Sequence, residues 1–154
     1  MQQYYLIKNN IRNEIPFDLL LLADESKEAI EQYIYRSSVY LLKDRQHVTV
    51  AVIALYQEDK NTLEIKNIAV AQHVQHKGIG SFLIDQVKKM AKEQGIRTLL
   101  VGTGDGSLDQ LRFYKRNGFI QFDIRKDFFL ENYPSPVVEN GIVLKDMILL
   151  KQEI

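Results

Sequence analysis

The chain has 154 residues, and its 20 Lys and Arg balance 20 Asp and Glu, so the formal net charge is zero. Hydrophobic residues make up 45% and charged residues 26%, ordinary proportions for one globular domain with a full core. A neutral chain lacks the basic surface that broad nucleic-acid binding needs, and the absence of cysteine excludes disulfides, Cys-ligated zinc, iron–sulfur clusters and a Cys nucleophile.

The histidines, His47, His73 and His76, have no metal-ligand spacing, so no dedicated metal site is expected. The N-terminal segment has no basic stretch followed by a long apolar one, which predicts no leader peptide. The longest apolar runs, 19–23 and 50–56, are too short to span a bilayer. The expectation is a single cytoplasmic domain covering 1–154, with no membrane partner.

In chain order, aromatic and branched residues predict a first strand over 4–8. Pro16 opens a helix over 17–22. Asp24 and Ser26 are N-cap residue types before a second helix over 27–35, with Ala29, Ile30 and Tyr33 on one side. Strands over 39–42 and 48–56 flank the polar Lys43-Asp44-Arg45-Gln46, a hairpin signal, and another strand covers 62–70. Ile79, Phe82, Leu83, Val87, Met90 and Ala91 then follow the helical period until Gly95. A strand over 98–101, a helix from Ser107 through Arg116 ended by Asn117-Gly118, and strands over 119–124 and 142–150 complete the chain. The segment 125–141, with Pro134 and Pro136, is too long for a tight turn; it reads as a functional loop or as a surface excursion. The predicted fold is α/β: a mixed sheet of about seven strands with about four helices on its two faces.

The most informative stretch is Ile68-Ala69-Val70 followed by Gln75-His76-Lys77-Gly78-Ile79-Gly80-Ser81. A strand ends, and glycines stand at the first turn of a helix. Unpaired N–H groups and a partial positive charge at a helix N-terminus suit a phosphate. Glycines let the backbone approach a bulky anion. Lys77 adds charge, and Ser81 offers a hydroxyl. The Walker and dinucleotide-binding glycine patterns are both absent.

With that spacing, and with Tyr114-Lys115-Arg116-Asn117-Gly118-Phe119 leading from a helix into a strand, the chain resembles the GNAT superfamily of acetyl-CoA-dependent N-acetyltransferases. The resemblance covers nearly the whole chain. It implies the acyl-CoA N-acyltransferase fold and acetyl-CoA as co-substrate. It implies that Ile68, Ala69 and Val70 pair with the pantetheine arm, that His76, Lys77, Gly78, Ile79, Gly80 and Ser81 bind the pyrophosphate, and that Gln75 before them belongs to the cofactor site. Ser107 stands where the family often has a cofactor-contacting Asn, and it shortens the reach. The resemblance makes Tyr114 the acid toward the leaving thiol; without the motif, it reads as a buried helix aromatic.

An alkyl ammonium of pKa about 10.4 costs about 4–5 kcal/mol to deprotonate at pH 7, so the chemistry needs a base. A phenol near 10 is a weaker acid than a thiol near 8.5 by about 2 kcal/mol, so a hydrogen bond from Tyr114 can matter as much as proton transfer. Glu64 stands where histone-acetylating members of the family carry a glutamate base. It lies six residues before Val70, and a regular strand puts both on one sheet face. It reads equally as a solvated strand carboxylate. The alternative family base, twelve residues before the tyrosine, is Gly102 here, and Asp105 is out of step.

Asp24, Glu25, Glu28 and Glu31 form either an acidic mouth for a cationic amine or a solvated helix face. The aromatic and acidic segment from Asp127 to Tyr133 suits a pocket wall or a subunit contact, which leaves a homodimer open. Lys88, Lys89 and Lys92 are the one dense basic run and read as an outer helix face, so no nucleic-acid partner is expected. The expected activity is acetyl transfer to the primary amine of a small molecule by direct attack. The alternatives are a peptide amine as acceptor, or a CoA-binding domain without catalysis.

Overall fold

The computed structural model describes residues 3–10 and 12–154; residues 1 and 2, the start of the segment read above for a leader, lie outside the described residues. The strands are β1 (Tyr5–Asn9), β2 (Ser38–Lys43), β3 (Thr49–Gln57), β4 (Thr62–Val70), β5 (Thr98–Gly104), β6 (Ile120–Arg125), β7 (Val138–Glu139), β8 (Ile142–Val143) and β9 (Met147–Glu153). The α-helices are α1 (Phe17–Leu20), α2 (Lys27–Glu31), α3 (Ile79–Glu93), α4 (Leu108–Arg116) and α5 (Phe128–Asn132). Seven strands form one sheet in the order β1-β2-β3-β4-β5-β9-β6, while β7 and β8 pair separately. The β4–β5 pair is parallel and the other pairs are antiparallel. Among the described residues no helix is long and apolar enough to cross a membrane.

The two faces of the sheet carry separate cores. Leu83, Ile84, Val87 and Ala91 of α3 and Tyr114 of α4 pack with Ile53, Ile65, Leu99 and Val101. On the other face Leu20, Ile30 and Ile34 pack with Val39, Leu41, Val52, Ala54 and Ala69. The long helices end as the sequence indicates. Gly95 and Gly118 take positive φ, and Ile96 N–H to Ala91 and Phe119 N–H to Tyr114 close the last turns.

Several expected boundaries move. The helix expected over 17–22 stops at Leu20, where Leu21 to Ala23 turn. The helix expected over 27–35 is α2 followed by a 3-10 turn, Ile34–Arg36; the Ser26 hydroxyl accepts from Ala29 N–H and caps its start. The strand expected over 142–150 is two elements. Ile142–Val143 folds back on Val138–Glu139 across Asn140-Gly141, both at positive φ, the two-residue hairpin that Asn-Gly favours. Segment 125–141 is therefore no featureless excursion. It carries the fifth helix, and its Phe129 and Val137 form a small core with Leu144.

One irregularity governs the site. Between Ala54–Asn67 and Leu55–Ile65 the β3–β4 register shifts, leaving Lys66 as an extra residue on β4. The bulge inverts the alternation of side chains. Leu63 and Ile65 share a core with Ile68 and Val70, while Asn67 and Ala69 face the α1–α2 side. Glu64, out of phase with Leu63 and Ile65, also faces α1–α2. Glu64 and Val70 thus lie on opposite faces, contrary to the expectation from a regular strand.

Candidate functional site

β4 and β5 pair only from Thr62–Thr98 to Ile65–Val101, although β4 runs on to Val70 and β5 to Gly104. Past the bulge the two strands diverge, so Ile68, Ala69 and Val70 have no strand partner on the β5 side. At the open end of β4 the chain turns through a 3-10 segment, Gln72–Val74, into the N-terminus of α3. The Gln75 side chain donates to the Val70 carbonyl at 2.9 Å and ties the turn to the strand.

His76 and Gly78 both take positive φ, 63° and 80°. The first helical bond at this end is Phe82 N–H to Gly78, and the amides of His76, Lys77, Gly78, Ile79, Gly80 and Ser81 have no acceptor within the described residues. His76, Lys77 and Gly78 are exposed. A run of free amides at the start of a long helix, beside the Lys77 ammonium, has the chemistry that suits a phosphate-type anion. Gly80 serves packing as well, since a Cβ there would stand 3.0 Å from the Phe113 ring of α4.

On the α1–α2 face a cavity of about 450 Å³ opens at the divergence. Lys66 of β4 and Gly102, Thr103 and Gly104 of β5 form its floor, and Phe129 and Tyr133 wall it from the α5 segment. Asp24 and Glu25 line it; Glu28 and Glu31 do not, and the Glu31 carboxylate accepts from the Tyr35 hydroxyl. Asp109 and Glu139 add acid from elsewhere in the chain. Sequence reading missed both. Glu139 had a signal in the Asn-Gly hairpin turn behind it, whereas Asp109 reads as an ordinary first-turn helix acid.

Asp24 is held from two sides: the Tyr33 and Tyr133 hydroxyls donate to its two carboxylate oxygens, each at 2.9 Å. Burial, then the Asp24 charge, raises the pKa of both phenols, so they stay protonated donors. Asn67 donates to the Tyr33 hydroxyl and to the Leu20 carbonyl, both at 3.0 Å.

Glu64 is 5% exposed. Burial pushes its carboxyl up to about 7, with Glu58 adding to the rise and Lys66 opposing it. The Lys66 ammonium stands 3.2 Å from Glu64 Oε1, but that oxygen accepts no aligned hydrogen bond. Tyr114 is buried between Phe113 and Phe119, with both rings in edge-on contact. Burial raises its pKa, and its hydroxyl meets no partner among the described residues.

Ser107, the residue at the position of the family's cofactor-contacting Asn, lines the acidic cavity. Its hydroxyl donates to Glu139 at 2.7 Å, which uses its one proton. Gly102 is small for a packing reason: a Cβ would come within 2.5 Å of Met147 Sδ. Asp105 accepts from Lys145 N–H and binds the α4 approach to the start of β9. Lys88 donates to the Asn117 carbonyl at the end of α4. Among the described residues no group of three or more acidic or histidine side chains is placed to hold a metal ion.

This architecture recurs in known proteins. A GNAT-family acetyltransferase from Elizabethkingia anophelis with acetyl-CoA bound is 44% identical, superimposes with a TM-score of 0.93, and is matched over 100% of both chains. A Bacillus subtilis acetyltransferase in complex with CoA is 35% identical with a TM-score of 0.88, covering 98% of this chain and 99% of that one. The uncharacterized N-acetyltransferase YvbK of Bacillus subtilis is 37% identical over 97% of this chain and 96% of its own length. Residues 9–119 match the family described as Acetyltransferase (GNAT). On the family match and the likeness to these relatives over nearly the whole chain, this chain belongs to the GNAT acetyltransferase family.

Proposed function

We propose that the protein moves an acetyl group from acetyl-CoA to the primary amine of a small cationic molecule by direct attack in a ternary complex. The observation that carries the reading is the divergence of β4 from β5, with free amides at one end and an acidic cavity opening from its floor. In this reading the amides of His76 to Ser81 and the Lys77 ammonium hold the pyrophosphate. Ile68, Ala69 and Val70 pair with the pantetheine arm, which aims the thioester at the cavity. The relatives that hold acetyl-CoA and CoA support the assignment.

The acceptor enters on the α1–α2 face. Asp24, Glu25, Asp109 and Glu139 attract its charge, and the cavity volume is in the range of small-molecule sites. Glu64, whose carboxyl titrates near neutrality, takes the proton of the ammonium, directly or through a water. The freed lone pair attacks the thioester carbonyl; as the carbon–sulfur bond breaks, the nitrogen gives up its second proton, which ends on the departing sulfur, leaving the amide and the CoA thiol, while the proton held by Glu64 passes to solvent. Tyr114 meets that sulfur with a hydrogen bond. With its pKa raised, the phenol is a better donor of a hydrogen bond than of a proton.

Thiol release from acetyl-CoA, measured against a panel of polyamines, aminoglycosides and amino acids, tests the reading. Turnover with cationic amines, reduced at least tenfold by Tyr114→Phe, is the expected result. Tight CoA binding with no thiol release for any amine, peptide amines included, would leave only a CoA-binding domain.

A further inference from the structure

We propose that Lys66 is a positioning residue: its ammonium, at the cavity lining, favours the ionised form of the Glu64 carboxylate beneath it and so sets the lowest pH at which the amine is deprotonated. The inference rests on the reading of Glu64 as the proton acceptor.

The geometry is built for this contact. Lys66 is the extra residue of the β4 bulge and lies two positions after Glu64, so ordinary strand alternation puts both on one face. Its ammonium lies 3.2 Å from Glu64 Oε1 and 5.5 Å from the centre of the Tyr56 ring. Tyr56 is the cross-strand partner of Glu64 on β3, and the Arg36 guanidinium stands 5.9 Å from the same ring. The aromatic face therefore fixes the lysine over the carboxylate it serves.

The neighbours of Glu64 leave this work to Lys66. On β5 its partner is Leu100, which offers no charge. Glu58, from the turn after β3, acts against ionisation. Arg36 stands on the Tyr56 ring rather than on the carboxylate. Burial also favours the neutral acid. The Lys66 ammonium is the charge that opposes both effects, and it is the one basic side chain among the described residues lining the cavity. Its side chain is 26% exposed, enough for it to face the cavity while held at the carboxylate. Above the Glu64 midpoint an incoming ammonium meets the ionised carboxylate and can give up its proton, and Lys66 holds that midpoint down.

The test follows the carboxyl of Glu64 directly, by carbon-13 NMR of glutamate-labelled protein, in wild type, Lys66→Met and Lys66→Arg, with Glu64→Gln to assign the signal. Circular dichroism checks that each variant is folded. In Lys66→Met the titration midpoint is expected to rise by about one pH unit, and in Lys66→Arg to stay near wild type. The acid limb of kcat/KM, measured with acetyl-CoA and the fastest amine of the panel, moves by the same amount, an about tenfold loss on that limb. An unchanged midpoint in folded Lys66→Met overturns the inference while the base reading stands. A wild-type acid limb retained in Glu64→Gln overturns the base reading, and the kinetic part of the inference with it.

Discussion

The Asp24 carboxylate and the Tyr133 hydroxyl, 109 positions apart in the chain, meet at 2.9 Å on the wall of the acidic cavity. Through this bond the turn between α1 and α2 holds the end of α5. The contact continues inward through Tyr33 to Asn67 on β4, so the cavity wall is hydrogen-bonded to the strand that borders the divergence.

Tyr133→Phe removes the donor and keeps the ring, which stacks on Phe129 at a centroid distance of 5.5 Å. A hydrogen bond to a charged group contributes about 1.5–3 kcal/mol when buried, and less at this half-exposed site. The expected result is a several-fold rise in KM for the amine with the affinity for CoA unchanged. Amide exchange over residues 128–133 should quicken. Unchanged exchange there would mean that the Asp24 contact does not hold the segment.

Glu64 links the site to stability. Its carboxyl titrates near 4.5 when unperturbed and at about 7 in the folded protein. The folded state therefore binds the proton more tightly. The stability this gives is complete below pH 4.5 and is lost as pH rises through 7. The difference between the two values corresponds to roughly 3 kcal/mol. Glu64→Gln, which cannot titrate, should be more stable than wild type by up to that amount at pH 8, with the gap closing toward pH 4.5. Denaturant titrations at the two pH values read this out, and a constant gap would show that the carboxyl is not perturbed by folding.

Much of this was legible in the chain. The glycines that end α3 and α4, the Gln75 to Ser81 turn and the order of the main strands follow from local chemistry that a sequence displays. Glycine at positive φ and apolar residues at helical spacing are such signals. The bulge at Lys66 was not legible, because no residue type announces one, and it alone moved Glu64 to the face opposite Val70. Nor was the cavity wall. Glu139 and Asp109 join Asp24 only through tertiary packing, and Ser107 turns to Glu139 because that carboxylate folds over it.

Gly102 separates a packing constraint from a catalytic one. A Cβ would lie 2.5 Å from Met147 Sδ and 3.1 Å from Met147 Cγ, so the methionine must shift. Gly102→Ala should destabilise the domain by about 1–3 kcal/mol, the usual range for overpacking. It should also raise the KM for the amine, since both residues line the cavity. Combining it with Met147→Ala should destabilise by less than the sum of the single changes. Strict additivity in the double-mutant cycle would remove Met147 as the reason for glycine at this position.

The proposed pyrophosphate turn is best probed away from its glycines. A side chain at Gly80 meets Phe113, so a loss of CoA binding there would mix packing with recognition. Gln75→Ala instead cuts only the 2.9 Å tie from the turn to the Val70 carbonyl, on an exposed side chain. Such a bond contributes about 0.5–1.5 kcal/mol, so the Kd for CoA should rise by about two- to tenfold while Tm stays nearly constant. Calorimetric titration with CoA and with 3′-dephospho-CoA should show the same factor, because the turn is assigned to the diphosphate that both carry. If the two ligands respond by different factors, the amides of His76 to Ser81 grip something other than the shared diphosphate.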